Sequence, residues 1–237
     1  MRVDLTSAYG VSWHLTGGDY GESVRSPESS LSTLVGVSQR SDVPVPGRSG
    51  VVRGRQRFGP IQGTVDFYLR ADDGEGLERV HREFRRGWST AVPSVLSVSD
   101  AGGRGTAYLD LFLDGSVPGV AVDPSRRTAA LLTVPVIAPA GLWRIPMSGR
   151  GTVSITNMGD EAIYPVFYCG DAGGVVTTPS GARFTLPPGG GVVDADPRRL
   201  KLPGVFPEGV ERGNTRTWVV PDGVTVSWNV LVADPWA

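Results

Sequence analysis

Ile61-Gln-Gly-Thr-Val-Asp-Phe-Tyr-Leu-Arg70 alternates without a slip: Ile61, Gly63, Val65, Phe67 and Leu69 fall on one side, Gln62, Thr64, Asp66, Tyr68 and Arg70 on the other. A period of two is the signature of a strand with one buried face and one largely wet face. Going outward toward the C-terminus, Asp72-Asp73-Gly74 ends the strand. Leu77, Val80 and Phe84 then recur at helical spacing, and Trp88 extends the stripe by a turn. Glu78, Arg79, Arg82, Glu83, Arg85 and Arg86 cover the other sides, with Glu75 and Glu78 early and Arg85 and Arg86 late, which suits the helix dipole. The spacing predicts one helix near residues 76–87, stopped by Gly87. Toward the N-terminus stands Asp42-Val-Pro-Val-Pro-Gly-Arg-Ser-Gly50. Pro46 fixes its own φ and Gly47 tolerates a positive one, the pairing of a type II turn. Pro46, Gly47, Arg48 and Gly50 are read as a structural corner.

The rest of the chain repeats the strand-and-turn rhythm. Arg2–Thr6, Val11–Thr16, Leu31–Ser38, Ser94–Ser99, Thr106–Leu113 and Ala129–Val136 are further strand candidates in the first half. In the second half Thr152–Thr156, Tyr164–Cys169, Val175–Thr178, Arg183–Leu186, Gly191–Ala195, Arg198–Leu202, Thr217–Val220 and Gly223–Val232 follow at nearly even spacing. Pro135, Pro139 and Pro146 bracket Ala140-Gly141-Leu142-Trp143, where a stiff connection is expected. The chain holds 33 glycines and 19 prolines in 237 residues, above the usual combined share of about 12%. Spread without a period, they punctuate many short segments, which favours an all-β protein. The fold class read from this is mainly β, with two β-sandwich-type domains, the first (1–138) carrying the one α-helix and the second (139–237) helix-free.

Composition narrows the function. The net charge is −1 and neither half is a polycation, so sequence-independent nucleic-acid binding lacks its usual drive. A single cysteine, Cys169, excludes an intrachain disulfide framework and a Cys-rich zinc site. The start, Met1-Arg-Val-Asp-Leu-Thr, has no apolar core, so no signal peptide is expected. The longest apolar stretch, Ala129 to Trp143, is broken by Thr133, Pro135 and Pro139 and is too short for a bilayer. A soluble protein made in the cytoplasm is expected.

A search for chemistry returns scaffolding. His14 alternates with Trp13 and Leu15 on a strand, and His81 lies beside the helix stripe; neither has a nucleophile and an orienting acid in its sequence context. Asp194 and Asp196 flank Ala195 and read as a strand end capped by Asp-Pro rather than as a glycosidase pair. Asp72-Asp73-Gly74 lacks the later ligands of a calcium loop. Gly102-Gly103-Arg104-Gly105 and Gly189-Gly190-Gly191 open no helix after a strand, so they cradle no phosphate. Cys169 reads as a small buried hydrophobe. No catalytic residue, cofactor or metal is expected. Arg53, Arg55 and Arg57, at alternate positions beside Arg48, would share one strand face and are the candidate subunit interface, since arginine favours interface ion pairs.

These pieces, in this order, resemble the distal tail (Dit) family of long-tailed, non-contractile bacteriophages, the siphovirus tail components. Val45-Pro-Gly-Arg-Ser-Gly50 resembles the family's Pro-Gly-Arg-Asp-Gly corner, with Ser49 where Asp is usual. The strand Thr64–Arg70 followed by the helix to Trp88 resembles its strand–helix unit. Gly141-Leu-Trp-Arg144 resembles its interdomain junction. Asn157-Met-Gly-Asp160 with Tyr164-Pro-Val166, then Gly191-Val-Val-Asp-Ala-Asp-Pro-Arg198, resembles its second-domain strands. The resemblance implies a first domain that forms a homo-hexameric ring and a second, galectin-like sandwich outside it. It implies a virion protein at the tail tip that joins the tail tube to tail-tip and receptor-binding proteins. DNA would pass without sequence-specific contact, and no membrane insertion is implied. An alternative is a carbohydrate-binding module aimed at host cell-wall glycan, for which Trp218, Trp236 and Tyr168 are the candidate exposed aromatics. A third is a glycan-cleaving enzyme using Asp194 or Asp196.

Overall fold

The computed structural model describes residues 2–17, 23–47, 49–54, 56–99, 105–119, 123–171, 173–199, 204–205 and 207–236. The chain packs as two compact units: Met1–Trp143 with Ala233–Ala237, and Arg144–Val232. The second unit is thus an insertion, entered after Trp143 and left before Ala233. The sequence places its single boundary at residues 138/139.

The first unit runs β1 (Arg2–Thr6), β2 (Ser12–Thr16), β3 (Val24–Arg25), a single helical turn α1 (Glu28–Leu31), four short strands β4 (Ser38–Arg40), β5 (Val43–Pro44), β6 (Val51–Val52) and β7 (Gln56–Phe58), then β8 (Ile61–Arg70), α2 (Gly74–Arg86), β9 (Ser94–Ser99), β10 (Thr106–Leu113) and β11 (Ala129–Ala138). Antiparallel pairing gives the order β2-β1-β9-β10-β11-β8-β3. β8 and β11 pair over ten residues, from Ile61↔Ala138 to Arg70↔Ala129. As the alternation demands, Val65, Phe67 and Leu69 are buried while Thr64, Tyr68 and Arg70 are exposed.

The helix covers the buried face. Asp73 caps it, its carboxylate accepting the Gly76 N–H at 2.6 Å. Leu77 and Phe84 are fully buried. Phe84 meets the rings of Trp13, Phe67 and Trp88 at centroid distances of 5.3, 4.9 and 5.9 Å, tilted or edge-on. Such aromatic contacts add to the burial itself. Gly87 ends the helix, but with φ −65°, so it does not supply a left-handed stop. A Cβ there would lie 3.0 Å from Ser7 Cβ and 3.2 Å from the Trp13 ring, so close packing explains the glycine. Leu31–Ser38 is not a strand: Leu31 and Leu34 are buried three residues apart in successive turns, and pairing begins only at Ser38.

The second unit contains β12 (Trp143–Gly149), β13 (Thr152–Thr156), β14 (Val166–Cys169), β15 (Gly174–Thr177), β16 (Arg183–Leu186), β17 (Gly191–Asp194), β18 (Thr215–Val219) and β19 (Thr225–Val232). Within this unit they pair in the orders β17-β14-β19-β12 and β13-β18-β15-β16, two facing layers. Ile155, Val176, Phe184 and Trp218 from one sheet pack with Phe167, Val193 and Val226 from the other in a single core. This is the sandwich arrangement, with side chains from two inner faces interleaving. The connection expected at Pro146 is itself a strand, β12.

Candidate functional site: an arm without a core

Ser38–Phe58 lies in the longest segment of the first unit with no buried residue among those described. β4 pairs with β7 over three residues and β5 with β6 over two, giving a two-stranded ribbon. Its sequence explains this. From Ser38 to Arg57 there is no Leu, Ile, Met, Phe, Trp or Tyr, so the ribbon has no large side chain to sink into a core. Its valines face out: Val43 is 61% exposed, Val51 55% and Val52 59%. An isolated two-stranded ribbon is marginal in water. An exposed strand edge with apolar side chains is a template for another chain.

Local geometry keeps the ribbon in one shape. At its tip Gly47 takes φ +77°, as the third residue of a type II turn requires, and Gly50 takes φ +96°. Midway, Asp42 Oδ1 accepts the Gly54 N–H at 3.0 Å. A Cβ on Gly54 would fall 2.0 Å from the Ser41 carbonyl oxygen, so the two legs touch backbone to backbone where only glycine fits. This close approach breaks the ladder between Val52 and Gln56, so Arg53 and Arg57 do not lie on one continuous strand face. Both are exposed, as is Arg40, and none of the three forms an ion pair among the described residues. Arg48 and Arg55 lie outside the described residues.

The arm has a firm footing. The Trp143 indole N–H donates to the Leu34 carbonyl at 2.7 Å, and Trp143 is fully buried, edge-on to Trp236 at 5.9 Å. The Gly36 N–H donates to the Ala233 carbonyl at 2.8 Å and the Gly59 N–H to the Val37 carbonyl at 3.3 Å. Gly141, at φ +71°, has room for no Cβ, which would sit 2.3 Å from the Gly59 carbonyl oxygen. Both legs of the arm therefore start from a knot tied by Trp143 and the C-terminal segment.

The remaining candidates sort by burial. Trp218 does not offer the exposed ring that sugar stacking requires: it is 1% exposed and sits in the sandwich core. Trp236 belongs to the first unit and packs on Trp143, not on the sandwich surface. Tyr168 is 48% exposed on β14, directly opposite the exposed Val192 of β17. Asp194 accepts the Asp196 N–H at 2.9 Å, and Asp196 is gripped by Arg198 Nε and Nη2 at 2.9 and 2.8 Å. The Arg198 side chain holds the Asp196 carboxyl below its ordinary range, against the opposing effect of burial, which suits a turn clasp and not a proton donor. Burial pushes the Cys169 thiol up, away from reactivity. His14 bonds Asp4 Oδ1 at 2.5 Å, with Arg2 beside it, on the solvent side of β1 and β2. A surface groove of about 440 Å³ along α2 is lined by Glu78, His81, Arg82, Arg85, Arg86 and Asp123. Two of its arginines are already engaged: Arg82 pairs with Glu78, and Arg85 donates to the Pro118 and Val117 carbonyls at 2.6 and 2.9 Å. Burial first, then Arg85, pushes His81 below its ordinary value. No group of three or more His, Cys, Asp or Glu placed to hold a metal occurs among the described residues. Among the described residues no helix is long and apolar enough to cross a membrane.

The second motif singled out in the sequence, Asn157-Met-Gly-Asp160, is a corner of the sandwich. Asn157 is fully buried; its Nδ2 donates to the Glu161 and Val210 carbonyls at 2.8 and 2.7 Å, and its Oδ1 accepts the Gly159 N–H at 2.8 Å. A Cβ on Gly159 would lie 2.4 Å from the Leu231 carbonyl oxygen.

Solved structures share this fold over almost the whole chain. The Dit protein of phage SPP1, described as a paradigm of the hub adsorption apparatus of phages infecting Gram-positive bacteria, superposes with a TM-score of 0.57 at 11% identity, covering 96% of this chain and 98% of that one. Chains of the phage P2 baseplate in its activated conformation, one structure with Ca and one with Sr, each give 0.53 at 12% and 10% identity, covering 96% of this chain and 97% of theirs. No protein-family model matches the sequence, and no curated protein matches it. The fold is the mainly β, distal-tail type that the sequence motifs resemble.

Proposed function

We propose that this chain is a structural component of a phage tail tip, a distal tail protein. Six copies close into a ring through their first units and join the tail tube to tail-tip and receptor-binding proteins. The second unit is a galectin-like sandwich carried on that ring. One observation carries the reading: within a fold shared end to end with tail-hub proteins, the arm from Ser38 to Phe58 buries nothing of its own. A ribbon that is marginal alone and held in shape by a close glycine contact between its legs is built to be completed by another subunit. Head-to-tail contacts of this kind close into a ring when the rotation divides the circle. The protein then works by assembly, with no catalytic role assigned to any side chain.

Light scattering on purified protein, with negative-stain images, tests it. Closed rings of six are expected, formed by the protein alone or on addition of its tail partners. A chain that stays monomeric at high concentration and in the presence of those partners would sink the reading. A second function, glycan binding, is favoured only by Tyr168, whose exposed ring lies beside Val192 on the outer face of β14 and β17. A glycan array on wild type and Tyr168→Ala separates it: signal lost in the variant supports it, and no signal on any glycan removes it.

A further inference from the structure

The outer faces of the two sandwich layers differ in what they can hold. On β13 and β18 the exposed hydroxyls are already paired, Ser154 with Thr217 at 2.9 Å and Thr156 with Thr215 at 2.8 Å, and no exposed residue of either strand is aromatic. The outer face of β17, β14 and β19 carries a graded row instead. Val192, Tyr168 and Thr225 are register partners on these three adjacent strands. Val192 and Tyr168 are exposed and Thr225 is half-buried. At the end of the row, Arg150 Nε donates to Thr225 Oγ1 at 3.0 Å. Arg150 is exposed and makes no ion pair among the described residues. With Nε held by Thr225, the guanidinium is oriented and its two Nη groups remain as a fork of donors. An apolar wall, an aromatic ring, a hydroxyl and an oriented cation thus follow one another, the first three spanning roughly 10 Å at about 4.8 Å per strand gap.

We propose that this row binds a saccharide carrying a single acidic group. One sugar ring stacks on Tyr168 against Val192, and a carboxylate or phosphate on the adjoining residue is taken by Arg150. The inference rests on the glycan reading of Tyr168 and names the class of glycan. A ring alone grips the apolar face of any sugar and selects little. A guanidinium fork without an acid of its own fits an oxyanion, in bonds about twice as strong as those between neutral groups. Orientation costs less because Thr225 has already fixed the fork. Asp194 gives the row a direction. It lies two residues beyond Val192 on β17, on the far side of Tyr168 from Arg150, with its carboxylate accepting the Asp196 N–H. Its charge repels an acid at that end, so the acidic residue of the ligand lies toward Arg150. Asp171 and Asp222 are exposed in the turns that follow β14 and precede β19. One cation among these acids selects a ligand with one negative charge and disfavours a polyanion, nucleic acid included.

The test uses the full chain on an array of oligosaccharides in matched sets: neutral, with one carboxylate, and with one phosphate, beside polygalacturonate. Singly acidic members should bind at least about tenfold more tightly than their neutral counterparts. Raising NaCl from about 0.05 to 0.5 M should shrink that margin and leave neutral binding unchanged. Arg150→Gln should erase the margin while neutral binding and the melting curve stay as in wild type. Tyr168→Ala should weaken neutral and acidic members alike. The carboxylated and phosphorylated sets show which acid the fork takes. Equal binding of neutral and acidic members by wild type, or a margin that survives Arg150→Gln, overturns the acidic class and leaves the glycan reading standing. Tighter binding of polygalacturonate than of the singly carboxylated set overturns the single charge. Absence of binding to every member removes the glycan reading, and this inference with it, without touching the ring.

Discussion

Two corners rich in glycine and polar residues stand out in this sequence, Val45–Gly50 and Asn157–Asp160, and the structure gives them opposite physical roles. At Asn157 every side-chain polar atom is buried and bonded, and Gly159 is required because another backbone occupies the place of its Cβ. At Gly47 and Gly50 nothing lies within 4 Å of where a Cβ would be, so only the positive φ requires glycine. The first corner is closed inward and consumed by its own unit. The second is held in shape with its surroundings empty. A motif that satisfies itself contributes to folding, whereas one that is shaped but unsatisfied leaves its energy to be gained on assembly.

The largest effect expected from this contrast is at Asn157. Asn157→Ala removes the donor to the half-buried Glu161 carbonyl and the acceptor of the buried Gly159 N–H, at about 1–3 kcal/mol for each group left unpaired, while the Val210 carbonyl keeps the Ile163 N–H. Hydrogen exchange should report a loss of roughly 3 kcal/mol or more of protection across residues 144–232, with the first unit unchanged. Loss spread evenly over both units would break the claim that this corner serves only its own sandwich.

Next in size is Gly54→Ala. The added Cβ collides with the Ser41 carbonyl 2.0 Å away, so the two legs of the arm must separate. Because no described residue of the arm is buried, the melting of the isolated chain should move by less than about 0.5 kcal/mol. Assembly, by contrast, should fall by at least about tenfold in sedimentation experiments. A variant that destabilises the monomer instead would show that the arm packs on its own body in solution.

A smaller change is expected from Gly47→Ala at the tip. A side chain at φ +77° costs about 1–2 kcal/mol, which the free ribbon escapes by relaxing the turn. Only the docked form pays it, so self-association should weaken by about tenfold, matching about 1.4 kcal/mol, with no change in monomer stability. Clearly greater weakening by Gly47→Ala than by Gly54→Ala would show that the tip, not the middle of the arm, carries the contact.

Local signals in the sequence were enough for the elements that bury their own faces. The alternation of Ile61–Arg70 and the Leu77, Val80, Phe84 stripe lead directly to β8 and α2, because both periods are set by residues within one element. Trp218 could have been placed inward on the same ground: Thr215, Thr217 and Val219 are the exposed alternates of its strand. The arm also left a trace, twenty residues from Ser38 to Arg57 without one large hydrophobe, which reads as a ribbon with no core of its own. What no local pattern could supply is the footing. Leu34 meets Trp143 across 109 positions, and Gly36 meets Ala233 at the far end of the chain, so the return of the C-terminal segment to the first unit depends on tertiary closure alone. The strand β12 was hidden for a related reason. Its Pro146 marks it as a connection, and it joins a sheet through strands far from it in sequence, β19 lying some eighty residues later.

The smallest expected effect concerns the acid side of the inward corner's own unit. Asp196 accepts from the backbone N–H and the guanidinium of Arg198, and these bonds hold its carboxyl below the ordinary value despite partial burial. A group whose pKa is depressed on folding contributes stability that is present above the unfolded value, near 4, and is lost as the pH falls through the folded one. The Arg198 side chain is 69% exposed, so screening limits the contribution to under about 1 kcal/mol. Protection of the Gly191–Arg199 segment should therefore decline below about pH 4 in the wild type, while Asp196→Asn should begin lower and stay flat. An unchanged pH profile in the variant would mean that the turn is held by its backbone bonds, Asp194 to the Asp196 N–H and Arg199 to the Asp196 carbonyl, and that the charge pair sits on a corner already closed.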